Sequence, residues 1–238
     1  MRTAYTVFRN LYNVRKMTMK LVLASGSQRR RELLTMCGYD YEIIVSNADE
    51  TIDENDPESF VRALSLRKAK EVFDRLFAAG RRDFAVIGSD TVVAFQKEGE
   101  TKPVIIGKPK DAEDAVRILS MLSGKTHRVF TGVSVIADIS DENAAAQCSI
   151  REKAEIQTEC SITEVTFETL SPDEITDYVN SGDPLDKAGS YGIQGPFGMF
   201  VREIRGNYFT VIGMPIPVLY KMLKKIGILP HGFYERIE

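Results

Sequence analysis

Short apolar runs rich in β-branched residues alternate with stretches of helical periodicity along almost the whole chain, and this interleaving is what most restricts the fold. KLVLAS (20–25) reads as a buried strand, RRRELLTMCG as a helix closing on Gly38, and YEIIVS (41–46) as a second strand. From Pro57 to Ala79 the apolar residues Phe60, Val61, Leu64, Val72, Phe73, Leu76 and Phe77 recur at helical spacing, with Pro57 suited to a first turn and Gly80 to a stop; this predicts the longest helix. FAVIGSDTVVAF (84–95) is β-rich but broken by a polar Gly-Ser-Asp-Thr. A helix is expected over 111–122, and strands over 128–137 and 155–169 flank a polar loop at 138–150. A helix after Ser171 and Pro172, a glycine-rich loop GDPLDKAGSYGIQG, two strands joined around Gly206-Asn207 and a last helix over 215–226 complete the pattern. Elements that interleave in this way make an α/β fold with a mixed sheet, and no internal repeat or long linker divides it. The expected organisation is a basic, disordered N-terminal extension over 1–19 and a single domain over 20–238.

With 238 residues, 43% of them hydrophobic, the chain can bury one substantial core. A net charge of −3 gives no basic field over the whole molecule, which argues against a nucleic-acid partner bound by phosphate neutralisation; any anion site is local. Cys37, Cys148 and Cys160 form no CxxC pair and leave one over, so neither a disulfide framework nor a zinc site is suggested and a reducing compartment, the cytoplasm, fits. No apolar run is long enough to span a membrane. The first twenty residues carry Arg2, Arg9, Arg15, Lys16 and Lys20 without an acid. This composition resembles a mitochondrial import segment, but the favoured reading is a disordered leader ahead of an alternative start at Met17 or Met19.

The residues that carry chemistry stand at element boundaries. Ser25 and Ser27 with Arg29, Arg30 and Arg31 follow a strand and open a helix, where free N–H groups and the positive dipole end would make a cradle for a polyphosphate. The same letters also fit a solvated first turn capped by Ser27, although cations there oppose the dipole. Lys68 lies in the row Phe60-Leu64-Lys68-Val72 on an apolar stripe, so it either snorkels or points into a cleft. Asp49 and Glu50 end a strand-like segment, and Asp90 sits between apolar flanks; carboxylates at strand ends opposite phosphates are what Mg²⁺ requires. Lys108 is held between Gly107 and Pro109, as a clamp or as a plain turn. The GKT of SGKTH (123–127) is no P-loop, since Leu119 stands where that motif needs glycine and a helix precedes it. His127 and His231 are too few and too far apart for a metal site or a Ser-His pair, and His127 is read as structural.

Taken in order, ASGSQRRRELL (24–34), ADET (48–51), RKA (67–69), GSDTVV (88–93), GKP (107–109) and DKAGSYGIQG (186–195) resemble the motifs of the Maf family of nucleotide pyrophosphatases, from about Lys20 to Ile226. The resemblance implies hydrolysis of a nucleoside triphosphate between its α and β phosphates, giving the monophosphate and pyrophosphate with a divalent cation, Mg²⁺ or else Mn²⁺. It implies an elongated α/β fold with a cleft between two lobes, similar to the inosine triphosphate pyrophosphatases, and often a homodimer. On this sequence Ser25, Ser27, Arg30 and Arg31 would hold phosphates, Glu50 would ligate the metal, and Lys68 and Lys108 would neutralise developing charge. Asp90 would activate the water and help to order the metal. Arg29, Thr91 and Gln194 stand at three selectivity positions and side with the branch that acts on dTTP and UTP; Gln194, a donor and an acceptor, would read the base. Gln28 and Ser190 depart from the family pattern, which usually has proline and a glycine or alanine there, and the stretches 96–104 and 138–152 are longer than in compact members. An alternative from another class is a nucleotide-binding regulator without turnover, and one that keeps the enzyme is a pyrophosphatase for purine or methylated guanine nucleotides.

Overall fold

The computed structural model describes residues 19–139 and 154–231. The basic leader, Cys148 and most of the polar loop expected at 138–150 lie outside the described residues. Seven strands form one mixed sheet in the order β2-β1-β3-β5-β6-β7: β1 (Lys20–Leu23), β2 (Tyr41–Ile43), β3 (Phe84–Phe95), β5 (Thr126–Asp138), β6 (Ala154–Phe167) and β7 (Val201–Arg205), with β4 (Val104–Ile106) paired to β3 off this path. β1 runs parallel to β2 and β3, and the remaining pairs are antiparallel. The helices are α1 (Gln28–Met36), α2 (Pro57–Ala78), α3 (Ala112–Leu122), α4 (Pro172–Asn180), α5 (Tyr208–Ile212) and α6 (Ile216–Lys225).

β3 explains the layout. Its odd-numbered residues face one side of the sheet: Ala85 and Ile87 join a core with α1 and α6, while Val93 and Phe95 join a second core with α3 and α4. Its even-numbered residues lie under α2, where Val86 packs with Ala69, Val72 and Phe73, and Val92 and Ala94 pack with Val61. At Gly88 and Gly132 the helix rests on bare backbone: a Cβ at Gly88 would stand 2.2 Å from the Ser65 carbonyl oxygen, and one at Gly132 2.2 Å from that of Val61. Only glycine permits this approach.

β1 pairs with β3 only over Phe84–Ile87, and β4 only over Val93–Phe95. Between them residues 88–92 have a ladder neighbour on one side, β5, so the sheet carries a notch there. The polar Gly-Ser-Asp-Thr does not break the strand as its composition suggests. Ser89 Oγ donates to the Gly132 and Gly213 carbonyls (2.9 and 3.0 Å), and the Thr91 and Thr131 hydroxyls pair at 3.0 Å, so these polar groups are satisfied inside a continuous strand.

Two other expectations are corrected. The second strand stops at Ile43 instead of running to Ser46, because the following chain is strapped to α2 by Arg75 on the Val45 carbonyl (3.0 Å) and by Glu71 on the Asn47 N–H (3.0 Å). Asp49 and Glu50 therefore lie on an irregular loop, not at a strand end. Gly206-Asn207 is not a hairpin turn either: the Asn207 side chain accepts the Phe209 N–H at 2.8 Å and caps α5, so a helix follows β7.

Candidate active site

The notch opens into a cleft of about 1740 Å³. Ser25, Ser27, Arg29, Arg30, Arg31, Glu50, Lys68, Asp90, Thr91, Lys108 and Gln194 all line it, whereas Asp49 does not. They arrive from the turn between β1 and α1, α1 itself, the loop after β2, α2, β3, the turn after β4 and the glycine-rich loop, which places chemistry from both faces of the sheet around one space.

On the α2 side, Lys68 is nearly buried and does not snorkel; its Nζ sits 2.8 Å from Asp90 Oδ1 and 3.0 Å from Glu50 Oε1. Asp90, 8% exposed, is an ionisable group inside a strand, and the ammonium is the partner that makes its burial tolerable. Glu50 is exposed but its backbone is held: Arg67 Nη1 donates to the carbonyls of Asp49 (2.9 Å) and Thr51 (2.8 Å), one on each side of it.

On the α1 side, Ser27 occupies the N-cap position without a side-chain capping bond, and no acid stands in the first turn. The N-terminal N–H groups of α1 thus keep their dipole field toward the cleft. Arg30 is fixed at three points, Nε to the Gly213 carbonyl (2.9 Å), Nη1 to Ser25 Oγ (3.1 Å) and Nη2 to Thr91 Oγ1 (3.4 Å). Burial pulls its pKa below the ordinary arginine value, with Arg29 adding to that pull while Asp90 and Glu50 oppose it. Arg31 Nε is buried without a hydrogen-bond partner among the described residues, a donor in want of an acceptor.

The far wall is the loop 182–195. Lys108 and Gln194 are exposed on the rim, and the Gly189 N–H bonds the Gly107 carbonyl at 3.0 Å, tying the two segments together. Arg29 Nη1 reaches Asp186 Oδ2 at 3.3 Å. Burial disfavours the Asp186 carboxylate, but the Lys187 bond and the charges of Arg29 and Lys187 outweigh it and hold its pKa below the ordinary value. Sequence reasoning gave no role to Tyr178, Asp183, Asp186 or Lys187; only the i, i+4 spacing of Asp183 and Lys187 hints at a pair. His127 is buried as a structural residue, its Nε2 3.0 Å from the Tyr191 hydroxyl and its ring edge-on to Phe167.

Among the described residues no three His, Cys, Asp or Glu side chains gather as a cation site. Two carboxylates converging on one Nζ is a donor set that suits a hard cation completed by ligand oxygens and water, not one held by protein alone.

A mixed α/β sheet whose notch sets an arginine-rich helix start against a lysine between two carboxylates defines a class of α/β protein with a charged cleft at the sheet's open edge. The chain belongs to the Maf family, whose model, described as Maf-like protein, matches residues 20–226. A dTTP/UTP pyrophosphatase of Agathobacter rectalis is 41% identical over 88% of this chain and 98% of its own length. One of Bacillus thuringiensis subsp. konkukian is 43% identical over 88% and 96%. The structure of the Staphylococcus aureus Ham1 protein is similar over 87% of this chain and 99% of that one at 15% identity with a TM-score of 0.42, too loose a likeness to bear on the site.

Proposed function

We propose that the protein is a nucleoside triphosphate pyrophosphatase that hydrolyses dTTP and UTP to the monophosphate and pyrophosphate. The observation that carries this is the Glu50–Lys68–Asp90 ion triad in one cleft with Arg29, Arg30 and Arg31. The names of the relatives support the substrate class.

In this mechanism the uncapped start of α1, Ser27, Arg30 and the unpartnered Nε of Arg31 bind the phosphate chain, with Lys108 closing from the rim. Asp90, oriented by Lys68, takes a proton from water as the water oxygen bonds to the α-phosphorus. The bond from that phosphorus to the α,β-bridging oxygen breaks, and pyrophosphate leaves. Lys68 holds Asp90 in place before proton transfer and offsets charge near the transferring phosphorus afterwards. Glu50 and Asp90 would hold Mg²⁺ or Mn²⁺, which when bound supplies charge neutralisation on the phosphate oxygens. Gln194 offers a donor and an acceptor to the pyrimidine edge, with Thr91 and Arg29 setting selectivity beside it.

The test is pyrophosphate release from a panel of the common nucleoside triphosphates with Mg²⁺, wild type beside Asp90→Asn. Turnover of dTTP and UTP that falls by about 10² or more in the variant is expected. Nucleotide binding without turnover in the wild type would leave a regulator instead.

A further inference from the structure

Under the turn Gly192–Gly195, which carries Gln194 at the cleft's rim, three polar side chains form a line of contacts that ends on the turn itself. Lys187 Nζ donates to Asp183 Oδ1 (3.0 Å), to the Asp183 carbonyl (2.5 Å) and to Asp186 Oδ1 (2.8 Å). The buried Tyr178 hydroxyl donates to the other Asp183 oxygen, Oδ2, at 2.5 Å. That same hydroxyl oxygen accepts the Gly192 N–H at 3.1 Å, and the Gly195 N–H closes the turn on the Gly192 carbonyl at 3.2 Å. The packing is as close as the bonding: a Cβ at Gly192 would stand 2.6 Å from Lys187 Cε.

The order of donors fixes a direction. Because the phenol gives its only proton to Asp183, its lone pairs are left for the Gly192 N–H, and the Lys187 ammonium keeps the carboxylate where the phenol needs it. The Gly192 peptide plane is therefore set from beneath, and Gln194 follows two residues later. Asp186, shared by Lys187 and Arg29, ties the same assembly to the start of α1 on the opposite wall.

We infer that Tyr178, Asp183 and Lys187 are positioning residues for base recognition: by holding the Gly192 peptide they aim Gln194 and so set discrimination between nucleobases. This rests on the proposed pyrophosphatase function and on Gln194 as the reader of the base. A glutamine on an exposed turn discriminates only if both ends of its amide are aligned before the ligand arrives, and a held turn supplies that alignment.

Tyr178→Phe is the direct test, since it keeps the ring and its contact with Phe197 (centroids 4.8 Å apart) and removes the hydroxyl alone. The KM for dTTP and UTP should rise about tenfold, with the preference over dATP falling by the same factor and kcat within about twofold. The inhibition constant of inorganic tripolyphosphate, which has no base, should not move, and amide exchange should quicken at Gly192–Gly195. Lys187→Met, whose side chain keeps the packing without the charge, should shift selectivity in the same direction. An unchanged preference with unchanged exchange at the turn overturns the inference, as does a tripolyphosphate constant that worsens in step with the nucleotides. A wild type that cleaves no nucleotide refutes the proposed function itself, whereas a selective wild type with an equally selective Tyr178→Phe refutes this inference alone.

Discussion

Gly88→Ala should disable the protein through geometry, without touching a charged group. The added Cβ would lie 2.2 Å from the Ser65 carbonyl oxygen, 2.7 Å from the Ala69 nitrogen and 2.9 Å from the Ala69 Cβ. Two of these neighbours are helix backbone, which cannot turn aside as a flexible side chain does. Relief requires α2 to lift by about 1 Å at this point, and Lys68 stands between the two residues it would collide with. Overpacking of this kind costs about 1–3 kcal/mol of stability. A displacement of about 1 Å in a group that orients the base costs on the order of 10²-fold in rate. Denaturant unfolding and kcat/KM for the best nucleotide, measured on the same preparation, check both. Gly107→Ala is the stability control, because a Cβ there meets nothing within 4 Å. Wild-type stability and turnover in Gly88→Ala would refute the claim that contact between helix and strand backbone sets the position of Lys68.

Three further outcomes are expected. Burial pushes His127 down to about 3 from the ordinary 6.5, so the unfolded chain takes up this proton first; stability is complete above about pH 6.5 and falls with pH toward 3 by up to about 1.4 kcal/mol per unit, and urea midpoints across that range should show a shallower acid slope in His127→Gln. Ser190 is buried at φ 60 with its Oγ unpartnered among the described residues, so Ser190→Gly should stabilise by about 1 kcal/mol, read as a higher thermal midpoint. Arg30→Lys should lower both stability and nucleotide affinity, since one ammonium cannot reach the Gly213 carbonyl, Ser25 and Thr91 together; calorimetric melting and nucleotide titration report the two losses.

What the sequence made legible was whatever depends on local pattern. The interleaved elements, the long helix from Pro57 and the capped helix after Ser171 all follow from periodicity and end signals that lie within a few residues of each other. The arginines, Lys68 and Asp90 stand out because their types are unusual for their places: a first turn, an apolar stripe, a β-rich run; Thr91 and Gln194 are legible only through the resemblance to the Maf family. What stayed hidden is long-range. Arg29 and Asp186 are 157 residues apart, and no pattern in either neighbourhood announces their pairing. The hairpin expected at Gly206-Asn207 failed because a glycine before an asparagine serves a tight turn and a helix cap equally well, and only the contact of Asn207 with Thr163 on β6 decides between them. The polar Gly-Ser-Asp-Thr reads as a break because its partners, the Gly132 and Gly213 carbonyls and Thr131, come from distant segments.

The notch beside residues 88–92 has a consequence for how this strand can change its length. Asp90 and Thr91 are adjacent and point to opposite faces, yet both reach the ligand space because the sheet is open on that side. A substitution at either position alters one face and leaves the other alone. Insertion or deletion of a single residue just ahead of Asp90 reverses the pleat from that point on, turning the carboxylate toward Arg30 and the neighbouring hydroxyl toward Lys68. The length of this strand is therefore as fixed as its residues: a one-residue insertion ahead of Asp90 should abolish turnover even with every side chain of the site retained.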